Sequence, residues 1–263
     1  MNKKNSLDNG ISLDHLKSNM RNSLIFHIPH SSVDIPDEKG FNKALLTDEL
    51  NLLTDQATDE IFDIANTTKV LFPYSRLFCD VERLPDIDEP MFQKGRGFYY
   101  THTDAGEILR EENPELKDYI FEKFYTKHHQ KLKESVESKL EDCGFATIID
   151  CHSFSELPLK TEERQDLDRP DICLGTDSFH TPAFLYESLQ KFFESRGYSV
   201  AINHPYAGTI VPLQYYKENK KVFSVMIEIN KRVYMKEGEI MPEKVMILNK
   251  LISLYFTELL FNI

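Results

Sequence analysis

Two histidines stand where apolar runs give way to polar loops. His30 closes HIPH just beyond the run Leu24–Ile28, and His152 follows the run Phe145–Cys151 within Asp150-Cys151-His152-Ser153. Alone, His30 reads as a loop-capping residue. His152 shifts the balance, because Asp150 two positions earlier is placed to orient its ring. Neutral imidazole is the commonest zinc ligand, so two imidazoles at separate strand ends point to a metal site. A catalytic zinc takes about three protein ligands and keeps one position open. No HExxH is present, and Val33 stands where an HxxE pattern from His30 needs glutamate. The third ligand must come from elsewhere: Asp55 is the first choice, with Asp80 and Glu82 behind it. The helix dipole accounts equally well for an acid such as Asp55 in a first helical turn.

Glu228 interrupts the apolar stretch VFSVMIEIN. Burying a carboxylate there is costly unless it is paired or used, and the same burial raises its pKa towards that of a general base. The competing reading is an ion pair with Lys231 or Arg232. RLFCDVER supplies Arg76, Asp80, Glu82 and Arg83, in which an arginine grips a substrate carboxylate or an oxyanion, or the charges form a surface ladder. NHPYAGT carries Asn203, His204, Tyr206 and Gly208, the composition of a binding loop and equally of a Pro/Gly turn. His128-His129 reads as a packed or solvated pair, and His102 as part of a turn.

These residues need a scaffold that presents strand ends. Apolar runs at Leu24–Ile28, Val70–Phe72, Leu77–Val81, Phe145–Cys151, Tyr198–Ile202 and Val222–Ile229 alternate with helical patterns. The helices expected are one over Thr54–Asn66, one opened by Asn113-Pro114 and closed by Gly144, one from Thr181-Pro182 to Gly197, and one from Glu243 to Phe261. Such alternation predicts a single α/β domain, residues 21–263, with a mostly parallel sheet flanked by helices behind a polar lead-in of residues 1–20. In such sheets ligands bind beyond the carboxyl ends of the strands, where His30, Asp80 to Arg83, His152 and Glu228 are expected.

The 263 residues are 41% apolar and 28% charged, a globular balance. The net charge of −12 disfavours nucleic acid, whose binding needs clustered cations, but leaves room for a small anionic ligand in a local pocket. Four cysteines without a CxxC pair, a polar N-terminus and no long apolar span predict a reduced, cytoplasmic protein without membrane contact. Oligomeric state is not legible.

HIPHSS, LLTDQATDEIF, YSRLFCDVER, DCHS, PDICLGT, NHPYAG and IEIN…VYM occur in this order across residues 24–235. Together they resemble the N-formylglutamate amidohydrolase family. The resemblance implies a fold similar to zinc-dependent exopeptidases (phosphorylase/hydrolase-like) and hydrolysis of an N-acyl amide on an amino acid, a small-molecule substrate. It implies a Zn²⁺ ion, or another divalent cation, on His30, Asp55 and His152, with Glu228 as base. Arg83 and Arg76 would face the substrate, Arg83 beside the reacting carbonyl, and Asn203 and Tyr206 would belong to the binding loop. Two departures stand out. Phe154-Ser155-Glu156 follows DCHS where the family tends to carry arginine, and Thr209 and Val211-Pro212-Leu213 replace a glycine and a nearby arginine. The competing functions are a peptide or cell-wall amidase with the same metal chemistry, and a binding protein on a retired hydrolase scaffold.

Overall fold

The structure, a computed structural model, describes residues 9–86 and 88–259. Six strands form one sheet: β1 (Leu24–Ile28), β2 (Thr68–Leu71), β3 (Ala146–Phe154), β4 (Ile172–Gly175), β5 (Val200–Ile202) and β6 (Val222–Asn230). Their order is β2-β1-β3-β6-β4-β5, with every neighbouring pair parallel except β4–β6. Every residue of β1, β3 and β6 is buried, which explains why these strands read as predominantly apolar runs. The expected α/β class and mostly parallel sheet are present.

Seven helices accompany the sheet among the described residues: α1 (Leu13–Ser23), α2 (Lys43–Leu53), α3 (Thr58–Ile61), α4 (Pro114–Ile120), α5 (Thr126–Cys143), α6 (Ala183–Glu194) and α7 (Pro242–Leu254). Alternate strand residues point to opposite faces. Phe26, Ile149 and Ile227 accordingly pack with Ile61, Leu185, Leu189, Leu248 and Ile252 of α3, α6 and α7. Ile25, Ile148 and Val222 pack instead with Leu132 and Val136 of α5. The helix opened by Asn113 is found with one π turn, Phe121–Tyr125, between α4 and α5, and Gly144 closes it at φ 76°.

Several expectations are corrected. Residues 13–20 of the polar lead-in lie in α1, whose Leu16 and Met20 join the core. Leu77–Val81 is a buried turn, not a strand; Arg110 reaches in to bond the Phe78 carbonyl, satisfying backbone that a sheet would otherwise pair. Thr54–Asn66 holds only the single turn α3, so Asp55 sits in the link between α2 and α3. The last helix ends at Leu254 and continues as a π turn to Leu259, and residues 260 and 261 lie outside the described residues.

β1 has β2 on one side and β3 on the other, so the chain switches direction across the sheet between them. Such a switch point opens a crevice at the strands' carboxyl ends. His30 lies two residues past β1 and His152 near the end of β3, both at this crevice. No helix among the described residues is long and apolar enough to cross a membrane.

Candidate active site

His30, Asp55, Arg76, Glu82, Arg83, His152, Tyr206 and Glu228 line one cavity of about 220 Å³. They come from segments up to two hundred residues apart, and the sheet brings them together. β3 and β6 set His152 opposite Glu228, since the two are register partners. The loop after β1 carries His30, whose carbonyl accepts the Asp55 backbone N–H at 2.9 Å and so ties the α2–α3 link to it.

Carboxylates surround both imidazoles. His30 Nε2 donates to Asp80 Oδ1 at 2.9 Å, while its buried Nδ1 has no hydrogen-bond partner. That Nδ1 lies 3.8 Å from both Asp55 Oδ2 and Glu82 Oε2. His152 places Nδ1 3.0 Å from Asp55 Oδ2, and Nε2 3.1 Å from Glu82 Oε2 and 3.2 Å from Asp150 Oδ1. The expected Asp150–His152 contact is therefore made. Among the described residues, the imidazoles of His30 and His152 form with Glu82 a group compact enough to hold a metal. Asp55 faces the Nδ1 atoms of both rings, and Glu82 faces one Nδ1 and one Nε2. A second compact group, His27, Glu82 and Asp150, shares Glu82, with His27 also hydrogen-bonded to His128.

Asp80 does not face the cavity; it is the clamp beneath it. Its Oδ1 takes His30 and the Glu82 N–H, and its Oδ2 takes Arg76 and the Tyr100 hydroxyl. Burial opposes its charge, but Arg76 and His30 hold its pKa well below the carboxylate range. Burial likewise opposes charge on Asp55, which its hydrogen bond to His152 and the nearby His30 imidazole nevertheless keep ionised. Glu228 differs: burial, with Asp55 and Glu82 adding repulsion, lifts it to about 8 against the pull of His152 and Arg76. Its Oε2 has no hydrogen-bond partner. The competing ion pair is not formed, since Arg232 binds Asp171 and the Lys231 ammonium donates to the Leu52 carbonyl.

Arg83 and Arg76 line the cavity as expected. Arg76 is held by Asp80, and Arg83 by Glu89 at 3.2 Å and Asp80 at 3.7 Å. Tyr206 lines the cavity and its hydroxyl donates to Glu162. Asn203 is absent from the lining; both of its amide atoms bond Thr176, at a backbone φ of 55°. His102 lies in a different cavity, and His128 is buried against His27 and Phe72. Sequence reasoning overlooked Arg96 and the cavity-facing role of Lys231. Lys231 immediately follows the strand that carries Glu228, a signal that was available. Arg96 sits in an irregular stretch with no such signal.

A family model described as N-formylglutamate amidohydrolase matches residues 22–235. The fold is similar to the crystal structure of N-formylglutamate amidohydrolase from Ralstonia eutropha JMP134, with a TM-score of 0.78 and 22% identity over 90% of this chain and 92% of that one. It is also similar to the crystal structure of a gene product from Agrobacterium tumefaciens, with a TM-score of 0.61 and 18% identity over 88% and 89% of the two chains. The comparison with curated proteins gave no match.

Proposed function

The chain belongs to the N-formylglutamate amidohydrolase family, and on that footing we propose that it is a zinc-dependent hydrolase of an N-acyl amino acid of the N-formylglutamate type. The observation that carries this reading is the meeting of His30, His152 and Glu228 in one small cavity. At about 220 Å³ the cavity is below the usual range for drug-sized ligands, which favours a small acylated amino acid over a peptide or cell-wall chain.

The donor set fits a zinc ion. The unpartnered, buried Nδ1 of His30 faces two carboxylates and a second imidazole, and nitrogen and carboxylate oxygen are the donors zinc takes in catalytic sites. We assign the ligands as His30, Asp55 and His152, because Asp55 faces the same nitrogen of both rings. Asp80 orients His30 from the far side, the outer-shell carboxylate such sites use. The chemistry a bound zinc supplies is Lewis acidity, which lowers the pKa of water to about 7 and polarises a carbonyl.

Glu228 accepts the proton of the attacking water and returns it to the departing amine nitrogen. Burial raises its pKa and so makes its carboxylate a stronger base, and a cation held beside it would favour the ionised form that accepts the proton. Arg83 places positive charge where the tetrahedral oxyanion develops, an interaction worth about 3 kcal/mol per well-placed donor. Arg76 and Tyr206 border the substrate, and Asn203 holds the loop that carries Tyr206. The four cysteines are buried and unpaired, in keeping with a reducing, cytoplasmic compartment.

Purified protein should contain roughly one zinc per chain and release formate from N-formyl-L-glutamate. Chelation should abolish turnover and zinc restore it. Hydrolysis that persists after the metal has been stripped overturns the mechanism.

A further inference from the structure

Four cations line the cavity: Arg76, Arg83, Arg96 and Lys231. Three already have a carboxylate within 4 Å, Arg76 that of Asp80, Arg83 those of Asp80 and Glu89, and Arg96 that of Asp104. Among the described residues, Lys231 has no carboxylate within 4 Å. Its ammonium donates to the Leu52 carbonyl at 3.0 Å. An ammonium carries three donors, so two remain for a ligand.

Its position is set by the strand that carries the base. β6 ends at Asn230, and the 3₁₀ turn Lys231–Val233 follows, started by the Asn230 side chain accepting the Arg232 N–H. Lys231 therefore leaves the sheet three residues after Glu228 and reaches the last turn of α2, where Leu52 and Leu53 also line the cavity. Asp55 and Glu82 add anionic groups to the same wall. An anionic substrate needs a compensating charge in that wall.

We propose that the Lys231 ammonium is the anchor for the substrate's free α-carboxylate, so that the site takes an N-acyl α-amino acid as its carboxylate and discriminates against the corresponding carboxamide. One uncommitted cation grips one carboxylate, so a second acidic group on the amino acid is not a requirement. This inference rests on the hydrolase reading for its substrate class, and its test separates the two.

The experiment compares zinc-loaded wild type, Lys231→Met and Lys231→Arg on N-formylglutamate and on its α-carboxamide. Wild type should prefer the acid by about 100-fold in kcat/KM, the scale of losing one partner of a desolvated charge pair, with the difference mainly in KM. Lys231→Met should collapse that ratio towards one, and Lys231→Arg should recover most of it. A ratio unchanged in Lys231→Met overturns the assignment, as does an equal loss on both substrates. Calorimetric binding of N-formylglutamate to zinc-loaded Glu228→Gln, with and without Lys231→Met, reads the same contact without turnover. An affinity that does not fall on adding Lys231→Met rejects the anchor. Lysine-dependent binding alongside a wild type that never hydrolyses the ligand rejects the hydrolase reading and leaves the anchor standing.

Discussion

His152 on β3 and Glu228 on β6 are register partners in a parallel pair, so one ladder sets the spacing between an imidazole and a carboxylate. A slip of one residue would turn either side chain to the opposite face of the sheet. Burial along both strands holds that register, because all nine residues of each are buried. The same burial keeps Glu228 protonated to about pH 8 in the protein alone. Packing and acid–base chemistry therefore have one origin.

Glu228→Gln preserves shape and removes the base. We expect kcat to fall by about 10²–10⁴-fold, the usual contribution of a positioned general base, with zinc content unchanged. Steady-state kinetics beside elemental analysis checks this, and an unaltered kcat assigns the proton transfer to another group.

Asp55 and Glu82 compete for the third ligand position, and their variants should separate them. Asp55→Ala is expected to lose zinc on dialysis. Glu82→Gln should retain it with affinity weakened about 10–100-fold, as for a residue that orients a ligand. The opposite pattern would transfer the ligand role to Glu82, the carboxylate of the compact group with His30 and His152.

His129 packs its ring on Tyr125, and burial with the nearby His27 lowers its pKa to about 4. The unfolded chain takes up this proton near pH 6.5, well before the folded one. This residue's contribution to stability is therefore complete above about pH 6.5, declines as pH falls to about 4, and changes no further below that. Its size is at most about 3 kcal/mol. Urea unfolding across this window should show a steeper loss for wild type than for His129→Phe; parallel curves would contradict the assignment.

Gly175 ends β4 where a Cβ would meet the Gly208 carbonyl at 2.3 Å and the Met226 side chain at 2.4 Å. Gly175→Ala should push away the loop that carries Tyr206 and Ala207 to the cavity. A loss of about 1–3 kcal/mol is expected from overpacking, together with a raised KM. Thermal melts and kinetics test both, and an unchanged KM would show that the loop absorbs the methyl.

His30, His152 and Glu228 were legible because each sits in or just past an apolar run, and runs are a local property of the chain. The same signal identified β1, β3 and β6, and the Asn113-Pro114 cap and Gly144 bounded the long helical stretch. It failed where burial does not mean strand. Leu77–Val81 is as apolar as a strand but turns around the Arg110 side chain, a partner that comes from a distant segment. β4 went unread as a strand because four residues carry too little period to recognise.

Sequence alone determined the class of sheet, the family motifs and which strand ends carry imidazole or carboxylate, since these follow from side-chain type and period along one segment. Tertiary structure decided which ring nitrogen meets Asp55 and which meets Glu82, that Asn203 serves its loop, and that Lys231 alone among the cavity's cations has no carboxylate within 4 Å among the described residues. Those outcomes depend on how loops from distant segments pack against one another. No periodicity in the chain encodes a contact between residues a hundred positions apart.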